Sequence, residues 1–171
     1  SRREFESLFA FRHQEDPQQL LQLRHEQLNY SVDTWEVVNQ SANGFRLVRS
    51  VSGKKMAHGQ LLALCPHDSD RFFLGQTTWL MQEKGGGLIA GIHALPRMPI
   101  AIGARPLDSN AEQSGKYQRA FLLPAAPSVH TEQSLVLPQG WFRSGRTIEI
   151  FTDGPWQVRL THILDDGADF D

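Results

Sequence analysis

Three residues in the stretch NQSANG have side chains and spacing suited to binding a small polar ligand. They are Asn39, Ser41 and Gly44, and the stretch joins two short apolar runs, WEVV and FRLV. A carboxamide both donates and accepts hydrogen bonds, and a hydroxyl can donate to a phosphate oxygen. Glycine lets the backbone turn and approach a ligand closely. The same residues also suit a simple hairpin turn, whose side chains bond the local backbone.

A second polar stretch, CPHDSD, contains residue types that ligate metals or take part in nucleophilic catalysis: Cys65, His67, Asp68 and Asp70. Zinc sites need about four ligands at recognised spacings, and the chain has no second cysteine. The histidines form no His-x-x-x-His pair, and no Gly-x-Ser-x-Gly sequence is present. We therefore predict a polar turn here, with no metal site and no cofactor. A small hydrolase using Cys65 or a His/Asp pair stays as an alternative function.

The tryptophans and the glycine run have structural interpretations. Trp35 and Trp79 stand in predicted strands, where a large aromatic side chain usually packs in the core. We therefore predict core packing for both, rather than stacking on bases. The GGG run at 85–87 lacks the lysine pattern of a phosphate-binding loop and predicts a hairpin turn.

Composition excludes several classes of function. The chain has 171 residues, of which 40% are hydrophobic and 21% charged, and its formal net charge is −2. This composition is typical of a soluble globular protein. It lacks the excess of basic residues that binding to a nucleic-acid polymer requires. No apolar run approaches the ~18 residues of a membrane helix, so no membrane insertion is expected. The single cysteine fits a reducing cytoplasm, and the start at SRREF predicts a segment of a longer protein.

Periodicity predicts the elements that position these residues. Apolar residues at helix spacing, with Asp16 as N-cap and Pro17 after it, predict a helical segment over 1–30. After residue 33 the period changes to two. The predicted strands lie near 33–39, 43–50, 59–65, 71–82, 87–94 and 98–104, followed by YQRAFLLPA, QSLVLP, RTIEIF and WQVRLTHILD. Short strands separated by turn signals predict an antiparallel barrel or sandwich.

The motif and the strands after it resemble the PilZ family. Asn39, Ser41 and Gly44 match the family's second motif, Asp or Asn followed by x-Ser-x-x-Gly. A long strand ending in tryptophan, FFLGQTTWLM, follows, and a Gly-rich turn then leads into GLIAGIHAL. The resemblance covers about residues 33–104. It implies a mainly β fold, with a six-stranded antiparallel PilZ-like barrel over 31–106 and the N-terminal helices before it. The additional β unit over 107–171 extends this barrel or forms a second small one.

The resemblance also implies a ligand. PilZ domains are bacterial cytoplasmic receptors for cyclic diguanylate, and some relatives have lost the ligand and act through protein contacts. In the family, the Asx and Ser of the second motif reach guanine and phosphate groups, which implies a ligand site at Asn39, Ser41 and Gly44. The family's first motif, Arg-x-x-x-Arg, is absent, because no two of the arginines upstream are four residues apart.

Other arginines are needed to replace that first motif. The planar guanidinium stacks on guanine and bonds phosphate in a bidentate way. The candidates are Arg12, Arg24, Arg46, Arg49, Arg97 and Arg105. We include Arg46 and Arg49 in the predicted ligand site.

The leading hypothesis is a non-enzymatic bacterial signalling module. As a sensor or adaptor it binds cyclic diguanylate at the NQSANG turn and relays this state to a protein partner or an attached domain. The first alternative is a degenerate PilZ-like barrel that binds no nucleotide and acts only through protein-protein interaction. The hydrolase is the second alternative.

Overall fold

The computed structural model describes residues 32–107 and 115–171 of the chain. The predicted helical segment over 1–30 lies outside the described residues, as does most of the polar stretch LDSNAEQSGK. The described part contains ten strands and one short 3-10 helix, Pro127–Val129. No helix in it is long and apolar enough to span a membrane. The prediction of a mainly β fold is therefore confirmed.

The first five strands form one antiparallel sheet in the order β1-β2-β5-β4-β3. They are rich in β-branched, aromatic and other apolar residues, and Gly-, Asn- or Asp-containing turns separate them. Their bounds differ from the predicted ones by only a few residues. They are β1 Glu36–Ser41, β2 Gly44–Arg49, β3 Leu61–Leu64, β4 Phe73–Gln82 and β5 Leu88–Ala94.

The remaining strands form a second antiparallel sheet in the order β10-β9-β6-β7-β8. Buried and more exposed positions alternate along β6 and β9, as expected for strands with one face on a core. The bounds are β6 Ile100–Pro106, β7 Gln118–Leu123, β8 Ser134–Val136, β9 Thr147–Phe151 and β10 Pro155–Arg159.

The sixth strand lies in a different sheet from the one expected. β6 pairs with β7 on one side and with β9 on the other, so the first six strands do not form one closed unit. The stretch LPRMP does turn the chain, and Arg97 within it has a left-handed φ of 72°. Turn chemistry, however, does not specify which strand the following one pairs with. Strand pairing groups β6 with the C-terminal strands, whereas the predicted boundary at 106 grouped it with the first five.

Three hydrophobic clusters among the described residues stabilise this arrangement. One lies on a single face of the first sheet and a second belongs to the second sheet. The third contains residues from both sheets and from the C-terminal segment, so it packs the two sheets together. Its buried members are Leu74, Leu123, Val136 and Phe170.

The C-terminal strap, residues 167–171, connects the two sheets through its backbone. The Ala168 N–H donates to the carbonyl oxygen of Gly59 at 2.8 Å, just before β3. Further along, Asp171 and Leu137 exchange two backbone hydrogen bonds of 3.0 Å at the end of β8. Strap hydrogen bonds therefore reach the first sheet at one end and the second sheet at the other.

Candidate functional site

The NQSANG stretch forms the hairpin between β1 and β2. β1 ends at Ser41 and β2 begins at Gly44, so the turn contains two residues. The Asn43 carbonyl accepts a hydrogen bond of 3.0 Å from the Ala94 N–H, which ties the turn to the end of β5. A Cβ at Gly44 would lie 2.5 Å from the Ile92 carbonyl oxygen, and the φ of Gly44 is not left-handed. Glycine is required here by the closeness of β5, rather than by the turn itself.

Strand register places four residues in one row across the first sheet. Asn39 of β1 lies opposite Arg46 of β2, and Arg46 lies opposite Gly91 of β5. Gly91 in turn lies opposite Trp79 of β4. Directly opposed residues of antiparallel strands project from the same face. We call this the motif face, and it is opposite to the face that carries the sheet's own hydrophobic cluster. The next row on the motif face consists of Ser41, Gly44, His93 and Gln76.

Two β-bulges turn Asn39 and Trp79 onto the motif face. The register shifts between Val37 and Asn39 in β1, and again between Thr77 and Trp79 in β4. An extra residue reverses the alternation of side chains beyond it. Without the bulge, Trp79 would share a face with the buried Thr77. Trp79 is instead 38% exposed, so the prediction that it packs in the core is wrong.

The indole of Trp79 supports the guanidinium of Arg46. The ring lies against the backbone at Gly91, where an added Cβ would overlap ring atoms including Nε1. The Arg46 Cζ lies 5.4 Å from the ring centroid, which is a cation–π contact. Within the described residues Arg46 forms no ion pair, and it is exposed to solvent. As far as the described part of the chain extends, the motif face therefore presents a cation that has no acidic partner and that rests on an aromatic ring.

The polar side chains of the motif are accessible as well. Asn39 and Ser41 are both exposed. The Ser41 hydroxyl donates to the Gly44 carbonyl at 3.4 Å, which is long for a hydroxyl hydrogen bond. Because this bond is weak, the hydroxyl can rotate toward another acceptor. Of the predicted site residues, the structure thus brings Asn39, Ser41, Gly44 and Arg46 together.

Arg49 lies on the other face of β2. It is 5% exposed and forms an ion pair with Asp33. Two of its guanidinium nitrogens each donate to the Lys54 carbonyl at 3.1 Å, and its Cζ lies 4.9 Å from the Trp35 ring centroid. Trp35 is half-buried against the first sheet's cluster, in line with its predicted role. The structure does not bring Arg49 to the motif face.

The remaining candidate arginines lie elsewhere or outside the described residues. Arg97 lies in the connection between β5 and β6, and Arg105 lies in the second sheet. Arg12 and Arg24 precede residue 32, where the described part begins. The arginine that the structure places beside Asn39 is therefore Arg46.

A similar stack of glycine, aromatic ring and arginine occurs on the second sheet. Tyr117 packs on Gly103, where a Cβ would lie 3.3 Å from the tyrosine, and the Arg105 Cζ is 4.7 Å from the ring centroid. Here the arginine has an acidic partner, because its Nε donates to Glu149 Oε1 at 2.7 Å. The Tyr117 hydroxyl donates to the same oxygen at 2.5 Å. Both bonds hold the pKa of Glu149 below its ordinary value, and the bond from Tyr117 has the larger effect.

The CPHDSD stretch forms the polar connection between β3 and β4, as predicted. The Cys65 thiol donates to the Ser69 carbonyl at 3.2 Å. Burial, and then the charge of Asp70, raise the pKa of this thiol above its ordinary value. A thiol with a raised pKa is a weak nucleophile at neutral pH, so the geometry gives the Cys65 hydrolase no support. No three His, Cys, Asp or Glu side chains of the described part are grouped to hold a metal ion.

Sequence reasoning missed Trp79 as a member of this surface. A signal was present in GLIAGIHAL, because a glycine inside a strand marks a place where another group approaches closely. Gly91 is that glycine, and the group is the Trp79 indole. Which ring approaches it depends on the register and on the bulge in β4, and neither can be read from the sequence.

Two comparisons relate the chain to known proteins. Residues 102–171, from within β6 to the last residue, match the family described as the FimW C-terminal beta-barrel domain. The chain is also 27% identical over 128 residues to the cyclic-di-GMP receptor FimW of Pseudomonas aeruginosa. That alignment covers 74% of this chain and 21% of the receptor, so the chain spans about a fifth of the relative's length. No solved structure matches the chain. The second sheet is thus similar to a β-barrel domain of a receptor protein.

Proposed function

We propose that the chain is a PilZ-like signalling module that binds cyclic diguanylate on the motif face. The ligand contacts are Asn39, Ser41 and Arg46, with Gly44 holding the hairpin close to β5. The module carries out no chemistry on the ligand. It relays the bound state to a protein partner or to an adjacent domain of a longer chain.

One observation carries this proposal: an exposed arginine, which forms no ion pair with any other described residue, lies directly opposite the motif's asparagine in strand register. Arg46 and Asn39 are opposed residues of β2 and β1, and Ser41 follows two residues later on the same face. Three groups that recognise an anionic, guanine-containing ligand therefore converge on one surface. The name of the relative in Pseudomonas aeruginosa supports the same class of ligand.

Each contact has a chemical role toward such a ligand. The Arg46 guanidinium stacks on a base plane or donates two hydrogen bonds to a phosphate group. The Asn39 carboxamide pairs with donors and acceptors on the guanine edge, and the Ser41 hydroxyl donates to a phosphate oxygen. The positive charge of the exposed Arg46 also attracts a ligand with two phosphate charges.

β4 offers a path for the relay. It contributes Trp79 to the motif face and Leu74 to the cluster that packs the two sheets together. A ligand that binds one arrangement of the sheets more tightly than another shifts the population toward that arrangement. The second sheet and the strap are then the part of the module whose arrangement changes when the ligand binds.

A second candidate function is an adaptor that binds protein only. Among the strands of residues 32–107 and 115–171, β1 lies at the edge of the first sheet, and all six of its residues are exposed. Val37 and Val38 are each 55% exposed. An edge strand with free backbone groups and apolar side chains accepts an added strand from a partner.

Isothermal titration calorimetry with cyclic diguanylate separates the two candidates. We expect the 171-residue chain to bind and Arg46→Ala to weaken binding by roughly 10- to 100-fold, the size of a charged hydrogen bond. Arg46→Lys should recover little, because lysine lacks the planar fork. Asn39→Ala and Ser41→Ala should each cost about tenfold or less.

The matched control is Arg159→Ala, which removes an exposed strand arginine from β10 of the other sheet. It should bind the ligand as the unmodified chain does. Absence of binding heat for the unmodified chain would overturn the ligand proposal and leave the adaptor as the better account. Equal weakening by Arg46→Ala and Arg159→Ala would show a general charge effect rather than a site.

A further inference from the structure

An exposed tryptophan lies within β4, and its ring packs against a glycine of the neighbouring strand β5. Trp79 is 38% exposed, although it belongs to an inner strand of the first sheet. The absence of a side chain at Gly91 lets the indole lie against the sheet, since a Cβ there would overlap the ring. The ring therefore has a defined place on the motif face without being buried.

The same ring carries the arginine of the proposed site. The Arg46 Cζ lies 5.4 Å from the indole centroid, and Arg46 is the register partner of Gly91. An indole and a guanidinium are both planar and both stack on nucleobases. We call this pair the Trp79–Arg46 platform. Asn39 of β1 is the register partner of Arg46 and lies beside the platform.

We infer that the Trp79–Arg46 platform is the base-stacking part of the site and receives one guanine of the ligand. This inference rests on the proposed function and adds to it a contact residue from β4, outside the NQSANG motif. The purine ring lies on the platform, and the Asn39 carboxamide bonds the edge of the base. Stacking supplies the affinity, whereas the carboxamide selects the orientation of the base.

The second sheet provides a matched surface without this role. Tyr117 is 39% exposed, packs on Gly103 and carries Arg105 over its ring. Glu149 neutralises that arginine through the 2.7 Å hydrogen bond to its Nε. The stack is therefore geometrically similar but carries no free cation for an anionic ligand.

Calorimetry on Trp79→Leu, Trp79→Phe and Tyr117→Leu tests the inference. Loss of stacking on one aromatic ring should weaken binding of cyclic diguanylate by roughly tenfold in Trp79→Leu. Trp79→Phe keeps a π face and should recover much of the affinity. Tyr117→Leu removes an equally exposed ring from the other sheet and should bind as the unmodified chain does. Gly91→Ala keeps the indole but displaces it, and should also weaken binding.

Tryptophan fluorescence provides a readout that a structural role would not change. A guanine stacked on Trp79 should quench part of the emission of the unmodified chain, and Trp79→Phe should lose that part of the quenching. This comparison remains informative if Trp79→Leu does not fold, because Trp79→Phe keeps a ring over Gly91. Circular dichroism spectra confirm which variants are folded.

The outcomes separate this inference from the proposed function. If Arg46→Ala weakens binding while Trp79→Leu and Gly91→Ala bind normally, the platform is overturned and the proposed site stands. Undiminished quenching in Trp79→Phe overturns the platform as well. If the unmodified chain binds no cyclic diguanylate, the proposed function and the platform both fail.

Discussion

Arg46 and Arg49 lie three positions apart on β2, and the alternation of the strand sends their side chains to opposite faces. Arg46 is exposed over Trp79, whereas Arg49 is buried with Asp33 and the Lys54 carbonyl. Both arginines belong to the predicted ligand site, as replacements for the missing first motif. Residue type and proximity along the chain could not separate them, since burial depends on which face the core occupies.

Arg49 should therefore matter for stability and Arg46 for binding. Arg49→Ala leaves the Lys54 carbonyl and the Asp33 carboxylate without their partner, so we expect a loss of about 2 kcal/mol in the free energy of unfolding. Arg46→Ala removes only a solvent-exposed cation–π contact and should cost less than about 1 kcal/mol. Urea denaturation followed by circular dichroism measures both values. A larger loss of stability for Arg46→Ala than for Arg49→Ala would contradict this assignment.

At the scale of elements, the hairpin was predictable and the bulges were not. The apolar runs and the NQSANG stretch predicted two short strands joined by a turn, and β1 and β2 follow that prediction closely. The bulges that bring Asn39 and Trp79 to the motif face depend on pairing with β2 and β5. A bulge leaves little trace in a single sequence, because it is defined by the strand opposite.

Substitution of Gly44 tests why the hairpin needs glycine at this position. A Cβ there meets the Ile92 carbonyl oxygen at 2.5 Å, and a backbone atom of an inner strand cannot easily move away. We expect Gly44→Ala to lower the free energy of unfolding by about 1–3 kcal/mol, as overpacking usually does. Gly154→Ala is the control, because Gly154 has no atom within 4 Å of its Cβ position and no left-handed φ. In chemical denaturation, Gly154→Ala should have nearly the same free energy of unfolding as the unmodified chain. If Gly44→Ala were equally stable, β2 would be able to move away from β5 at little cost, and the explanation would be wrong.

At the scale of the whole molecule, the division of strands between the sheets was not predictable. All ten strands were expected from period-two patterns and turn signals, yet β6 pairs in the second sheet. Period and turn chemistry are local, whereas sheet membership depends on contacts far apart in sequence. Phe170 shows this most clearly, since it is buried among residues of β4, β7 and β8. A phenylalanine one residue from the end of the printed sequence carried no signal of that role.

The strap should hold the two sheets together mainly through Phe170. Because this ring is 4% exposed in the cluster shared by both sheets, Phe170→Ala should cost about 3–5 kcal/mol in the free energy of unfolding. Leu164→Ala, just before the strap, is the control, since Leu164 is 73% exposed and should contribute little.

Hydrogen exchange then locates the effect of Phe170→Ala. The Leu61 N–H donates to Asp169 Oδ1 at 2.8 Å, and the Leu137 N–H donates to the Asp171 carbonyl at 3.0 Å. Both amides should exchange faster in Phe170→Ala than in Leu164→Ala, because each depends on the strap remaining docked. Amides at the centre of the first sheet, such as that of Ala90, should lose less protection. Uniform loss across the sheet would instead mean that the two sheets unfold as one unit. In that case a ligand on the motif face would stabilise the second sheet directly, without a separate movement of the strap.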